Sequence, residues 1–112
     1  MKKLLLPLSF ATFLFSNVSM ADYASHSFVD INVGQTECLR VAAQAARAIG
    51  ITETKIAEEI VVYGMNANGY SLQFTCNAKI GVGYYILNGS SSEKRGELAR
   101  KFFSEIMRLM NK

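Results

Sequence analysis

Two cysteines, Cys38 and Cys76, are the only ones in the chain, and their spacing limits the fold more than any other feature. About 40 residues separate them, which excludes a Cys-x-x-Cys redox pair, where the second thiol must resolve the first. In an oxidising compartment the two are expected to pair and close a long loop, worth about 4 kcal/mol in the chain-entropy model. Metal ligation is a minor alternative, because one additional histidine, His26, cannot complete a tetrahedral set. Redox sensing and intermolecular pairing are the remaining readings.

The N-terminus supplies the compartment. Lys2 and Lys3 precede an apolar run from Leu4 to Phe15, and Ser19-Met20-Ala21 offers small residues at a peptidase site. Residues 1–21 read as a cleaved signal peptide of bacterial type, followed by a single disulfide-stapled domain over residues 22–112. The apolar run is shorter than the roughly 20 residues that span a bilayer, and no Cys near the cut offers a lipid attachment point. The expected location is the periplasm or the medium. A domain of this size buries about 60–65 % of its unfolded surface, which leaves room for one core.

Loss of the leader also changes the electrostatics. The whole chain carries net charge +3 with nine acidic residues; without Lys2 and Lys3, ten basic residues face those nine, and the excess falls to +1. A nucleic-acid partner is therefore not expected. The remaining cationic surface is local, on Lys94, Arg95, Arg100, Lys101, Arg108 and Lys112.

Periodicity organises the rest of the chain. Residues 22–27 read as a polar lead-in, and Val29, Ile31 and Val33 as one face of a short strand ended by Gly34. Cys38, Leu39, Ala42, Ala43, Ala45, Ala46 and Ile49 recur at helical spacing. Thr36 is the expected N-cap, and Gly50-Ile51 the expected C-terminal stop. Thr52 to Glu58 reads as a connection. Ile60-Val61-Val62-Tyr63 is a β-branched strand expected to be covered on both faces or central in the sheet. Asn66-Ala67-Asn68-Gly69 is a turn. In the next strand Tyr70, Leu72, Phe74 and Cys76 alternate with Ser71, Gln73, Thr75 and Asn77, and after a turn at Asn77-Ala78-Lys79 a last strand runs from Ile80 to Leu87. Ser90 with Glu93 forms a capping-box signature ahead of a helix whose apolar stripe holds Leu98, Ala99, Phe102, Phe103, Ile106, Met107, Leu109 and Met110. The expected fold is α+β: a two-layer sandwich in the order β-α-β-β-β-α, with both helices on one face of a mostly antiparallel sheet.

The pattern resembles a loose group of small, uncharacterised secreted bacterial proteins with one Cys in the first helix and one at a strand end. The resemblance covers about residues 34 to 110. It rests on Cys38-Leu39-Arg40 through Gly50, on Tyr63-Gly64 through Tyr70 and Cys76, and on Tyr84-Tyr85-Ile86-Leu87-Asn88-Gly89. This chain carries Asn88-Gly89-Ser90 where many of those proteins carry Gly-Pro. The resemblance implies the disulfide and the fold, and implies no activity.

Three surfaces are candidates for function. Ser90, Ser91, Ser92, Lys94 and Arg95 lead from a strand into a helix N-terminus, with hydroxyls, N–H groups and cations suited to an anion; ordinary capping is the competing reading. Ser71, Gln73 and Thr75 with Tyr85 form a candidate partner face, because two helices leave one sheet face bare; Tyr63, Met65 and Tyr70 would add apolar anchors. Gly81 and Gly83 strip one face of the last strand, either for a closely packed helix or for a groove. The terminal helix resembles a membrane-surface helix in composition, but its stripe is expected in the core, so peripheral membrane contact is not expected. No catalytic residues, metal or cofactor are expected: His26 lies in the lead-in, and Glu58 and Glu59 do not converge as an acid/base pair. The expected function is non-enzymatic binding of a protein partner in the cell envelope, or self-association; a small-ligand or anion-binding protein using Asn88 to Arg95 is the alternative.

Overall fold

The computed structural model describes residues 24–111; the signal peptide expected over residues 1–21 lies outside them. Seven elements follow one another: β1 (Ala24–Asp30), α1 (Gln35–Ala48), β2 (Glu53–Ala57), β3 (Val61–Met65), β4 (Ser71–Asn77), β5 (Val82–Asn88) and α2 (Ser92–Met110). The five strands form one sheet in the order β1-β5-β4-β3-β2, and every neighbouring pair is antiparallel. The α+β sandwich is as expected, with one strand more. Residues Glu53–Ala57, expected as part of a connection, form an edge strand against β3.

The topology follows from what the first helix must bury. α1 buries Cys38, Leu39, Val41, Ala42, Ala43, Ala45 and Ala46, and the run of alanines lets its backbone lie close to the sheet. It carries the chain from the β1 edge to the β2 edge. Four strands then meander back, placing β5 beside β1, and α2 lies beside α1 on the same face. Phe102 of α2 makes edge-on ring contacts with Phe74 and Tyr85, with centroids 5.6 and 5.7 Å apart. Leu98, Ala99, Phe102, Ile106, Leu109 and Met110 are buried, so most of the apolar stripe of α2 is core; Phe103 remains exposed.

The disulfide joins Cys38 in the first turn of α1 to Cys76 near the end of β4, with a Cα–Cα distance of 6.2 Å. Beside it, Gln35 makes a clasp. Its Nε2 donates to the carbonyls of Glu59 and Cys76, both at 2.9 Å, and its Oε1 accepts from the Ala78 N–H at 2.9 Å. One side chain therefore ties the start of α1 to the β2–β3 and β4–β5 turns.

Several boundaries differ from the expected ones, each for a local reason. β1 begins earlier, at Ala24 rather than Val29, because pairing with β5 does not require an apolar residue at every second position. Gly34 is the N-cap of α1, which puts Thr36 inside the first turn. Ser91, not Ser90, caps α2, its side chain accepting from the Lys94 N–H at 3.2 Å. β3 lies inside the sheet between β4 and β2, but it is covered on one face only: Val62 is buried while Tyr63 is exposed. Ile80 lies in the turn before β5, where it is exposed. Glu58 and Glu59 lie in no strand; they form a two-residue turn with φ of 53° and 57°, closed by the Ile60 N–H on the Ala57 carbonyl at 3.0 Å. Gly50 ends α1 as expected, at φ 95°, with Ile51 buried behind it.

Candidate partner-binding face

Side chains alternate across a strand, so the pairing register determines which residues share the face the helices leave open. Across the middle of that face one row reads Phe28, Tyr84, Thr75, Val61, Ala57 and the next reads His26, Ile86, Gln73, Tyr63, Lys55. A third row adds Ala24, Asn88, Ser71, Met65 and Glu53. Phe28 is 70 % exposed, Met65 51 % and Tyr63 44 %; Tyr84 and Ile86 are half-buried. The result is an amphipathic band: aromatic and aliphatic groups at both sides, polar Ser71, Gln73 and Thr75 on the central strand, and the charges of Glu53 and Lys55 at one rim.

Two local features give the band its shape. At the β1 side the Tyr84 ring neighbours those of Phe28 and His26, with centroids 4.8 and 5.9 Å away. At the β2 side Glu53, Lys55, Tyr63, Met65, Ser71, Gln73 and Asn88 are among the residues lining a shallow groove of about 570 Å³. Such a surface offers apolar contact, a polar centre and hydrogen-bond donors and acceptors along its length, the composition of an interface.

Of the expected partner face, Ser71, Gln73 and Thr75 lie together on this surface. Tyr85 does not. It pairs with Phe74 across β4 and Ser27 across β1 on the helix-covered face, is only 7 % exposed, and burial raises its phenol above the ordinary tyrosine value. Its neighbour Tyr84 takes the place expected for it. Tyr70 also leaves the surface: its ring stacks over Gly89, and its hydroxyl accepts the Ser91 N–H at 3.1 Å. That N–H and the nearby Arg95 hold the Tyr70 phenol below its ordinary value. Gly83 opens no groove, and Gly81 lies in the turn before β5 rather than on the strand. A Cβ at Gly83 would collide with the Phe74 ring and press on Ile31, so the gap is filled from within the sheet and its edge rather than by a helix.

The expected anion loop is arranged for folding. Arg95 is 5 % exposed and turns inward, its Nη1 donating to the Gly89 carbonyl at 2.7 Å and its Nε to Ser25 Oγ at 3.3 Å. Ser91 caps the helix. Lys94 points along α2 to Glu97 at 3.5 Å, and Lys101 approaches the same carboxylate at 3.3 Å. Lys101 first, then Lys94, hold the Glu97 carboxyl below its usual range. Lys94 and Arg95 do not converge on one point, since Arg95 is committed to the interior and Lys94 to its own helix.

The residues that sequence reasoning missed on the open face are His26, Phe28, Tyr84 and Ile86. The signal for Tyr84 and Ile86 was the parity of the last strand, since they pair with the outward Thr75 and Gln73, and for His26 and Phe28 it was their alternation with the buried Val29. Among the described residues no helix is long and apolar enough to cross a membrane. Comparison with protein-family models and with curated proteins finds no match.

Proposed function

We propose that this chain is a non-enzymatic domain exported to the bacterial periplasm or beyond, and that it binds a protein partner of the cell envelope through the open face of its sheet. The observation that carries the proposal is the band itself: Phe28, Tyr63 and Met65 stand exposed around Gln73 on a face that neither helix covers. Five strands at about 4.8 Å give the face a width of about 24 Å, the scale of a folded partner's surface rather than of a single small molecule. The disulfide and the leader-like residues 1–21 support the compartment. So does the resemblance to small secreted bacterial proteins. Both thiols are joined to each other, so no thiol nucleophile is free among the described residues.

Crosslinking and capture from the envelope fraction with the tagged, oxidised chain test this reading. A binding face predicts recovery of a discrete protein in fixed proportion, and loss of that protein with Gln73→Arg or Thr75→Arg, both of which leave the buried face intact. Equal recovery with the wild-type chain and both variants would remove the open face from consideration.

A further inference from the structure

An edge strand presents backbone N–H and C=O groups that no neighbour satisfies, and proteins usually blunt such edges with charge or shortness. The two edges of this sheet differ. β2 is five residues long, places Glu53 and Lys55 on the open face, and ends in the Glu58-Glu59 turn. β1 is seven residues long, contains no Lys, Arg or Pro, and carries Phe28, the most exposed large hydrophobic side chain among the described residues.

The direction of the outward backbone groups on β1, of which the Phe28 carbonyl accepts a long 3.4 Å bond from the neighbouring Ser27 Oγ, follows from one hydrogen bond. Ile31 N–H donates to the Gly81 carbonyl at 2.8 Å, toward β5. Backbone direction alternates along an antiparallel strand, so Val29, Ser27 and Ser25 also turn toward β5, whereas His26, Phe28 and Asp30 turn their backbone groups outward. The side chains of these same three residues lie on the open face.

We propose that a second copy of this chain pairs antiparallel with β1 about a two-fold axis at Phe28, joining the two five-stranded sheets into one. Only a register that sets outward groups against outward groups can form the ladder. With the axis at Phe28, the two Phe28 side chains face each other, and His26 of each copy faces Asp30 of the other. A neutral or a charged imidazole can donate an N–H to that carboxylate. An axis at Ser27 instead sets His26 against Phe28, and an axis at His26 sets like against like. The Phe28 register is the one in which an N–H donor meets a carboxylate and the exposed ring is covered. The interface covers Phe28, which also borders the partner-binding face, but leaves Gln73 and Tyr63 accessible, so Gln73→Arg tests that face and the charge variants at positions 26 and 30 test this edge.

Sedimentation equilibrium of the exported, oxidised chain tests the pairing, with circular dichroism and thiol titration confirming that each variant is folded and bridged. The wild type is expected to dimerise, and Phe28→Lys to remain monomeric. His26→Asp sets two carboxylates opposite each other and Asp30→Lys removes the carboxylate to which His26 donates, and each is expected to weaken the dimer about tenfold or more. Mixing those two variants restores it, because the acid introduced at 26 meets the lysine introduced at 30 while the native Asp30 of one chain meets the native His26 of the other. A wild-type chain that stays monomeric up to about 1 mM would overturn the proposal. So would a dimer indifferent to either charge change, or two weakened variants that fail to recover when mixed.

Discussion

Tyr70 and Tyr85 are both buried, yet their surroundings act on them in opposite directions. The Ser91 N–H, with Arg95 nearby, stabilises the Tyr70 phenolate, while Tyr85 is raised by burial alone. Linkage gives opposite signs for stability. Tyr85 contributes fully below the ordinary phenol value of about 10, and its contribution is lost as pH climbs through its raised value. The contribution from Tyr70 is present above that ordinary value and is lost as pH falls through its lowered one. In an ultraviolet titration of the five tyrosines, Tyr70→Phe should remove one of the early-ionising phenols and Tyr85→Phe a late one; the reverse order would contradict the packing described. A second residue-scale prediction concerns Glu58 and Glu59. Two successive residues at positive φ form a mirror-image turn that normally takes Asn-Gly, and side chains held there cost about 1–2 kcal/mol each. Glu58→Asn combined with Glu59→Gly should stabilise the domain by about 1–2 kcal/mol, raising the thermal midpoint by about 4–8 °C per kcal/mol. An unchanged or lowered midpoint in calorimetry would show that the carboxylates contribute something there that the turn geometry does not reveal.

At the scale of elements, the Cys38–Cys76 bridge and the Gln35 clasp hold the start of α1 to the far ends of the hairpins. Cys38→Ser should lower the unfolding free energy by about 4 kcal/mol, a large share of the 5–15 kcal/mol that small domains have. Urea unfolding of the oxidised wild type and the variant measures it, and a loss below about 1 kcal/mol would mean the bridge constrains little. These elements also show what the sequence makes legible. The alternation in β4, the alanine face of α1 and the stripe of α2 follow directly from period, and all three lie as expected except that Phe103 of the stripe is exposed. β2 was not legible. Thr54 and Ile56 share the helix-facing side with Val62, but Glu53 and Lys55 have low strand propensity and the Glu-Glu turn after them carries none of the usual Asn or Gly signal. β5 misled in a different way. Val82, Tyr84 and Ile86 look more core-like than Gly83, Tyr85 and Leu87, yet the second set is buried, because the Phe74 ring occupies the space that Gly83 vacates. The candidate face was consequently legible on β4 and misassigned on β5.

For the molecule as a whole, two helices on one side of a five-stranded sheet cannot cover both faces, and the uncovered one has apolar groups flanking a polar centre. The opposite surface of α2 is of the usual solvated kind, with Lys101 near Glu97 and Arg108 paired with Glu105 at 2.7 Å. The difference between these two surfaces allows an internally controlled experiment. A photo-crosslinking side chain placed at Tyr63, and in a second variant at Lys101, would be activated in intact cells exporting the protein. If the open face binds its partner, position 63 yields one discrete adduct that disappears with Gln73→Arg, and position 101 yields none. Equal labelling from both positions, or no adduct from position 63, would contradict a binding role for the open sheet face.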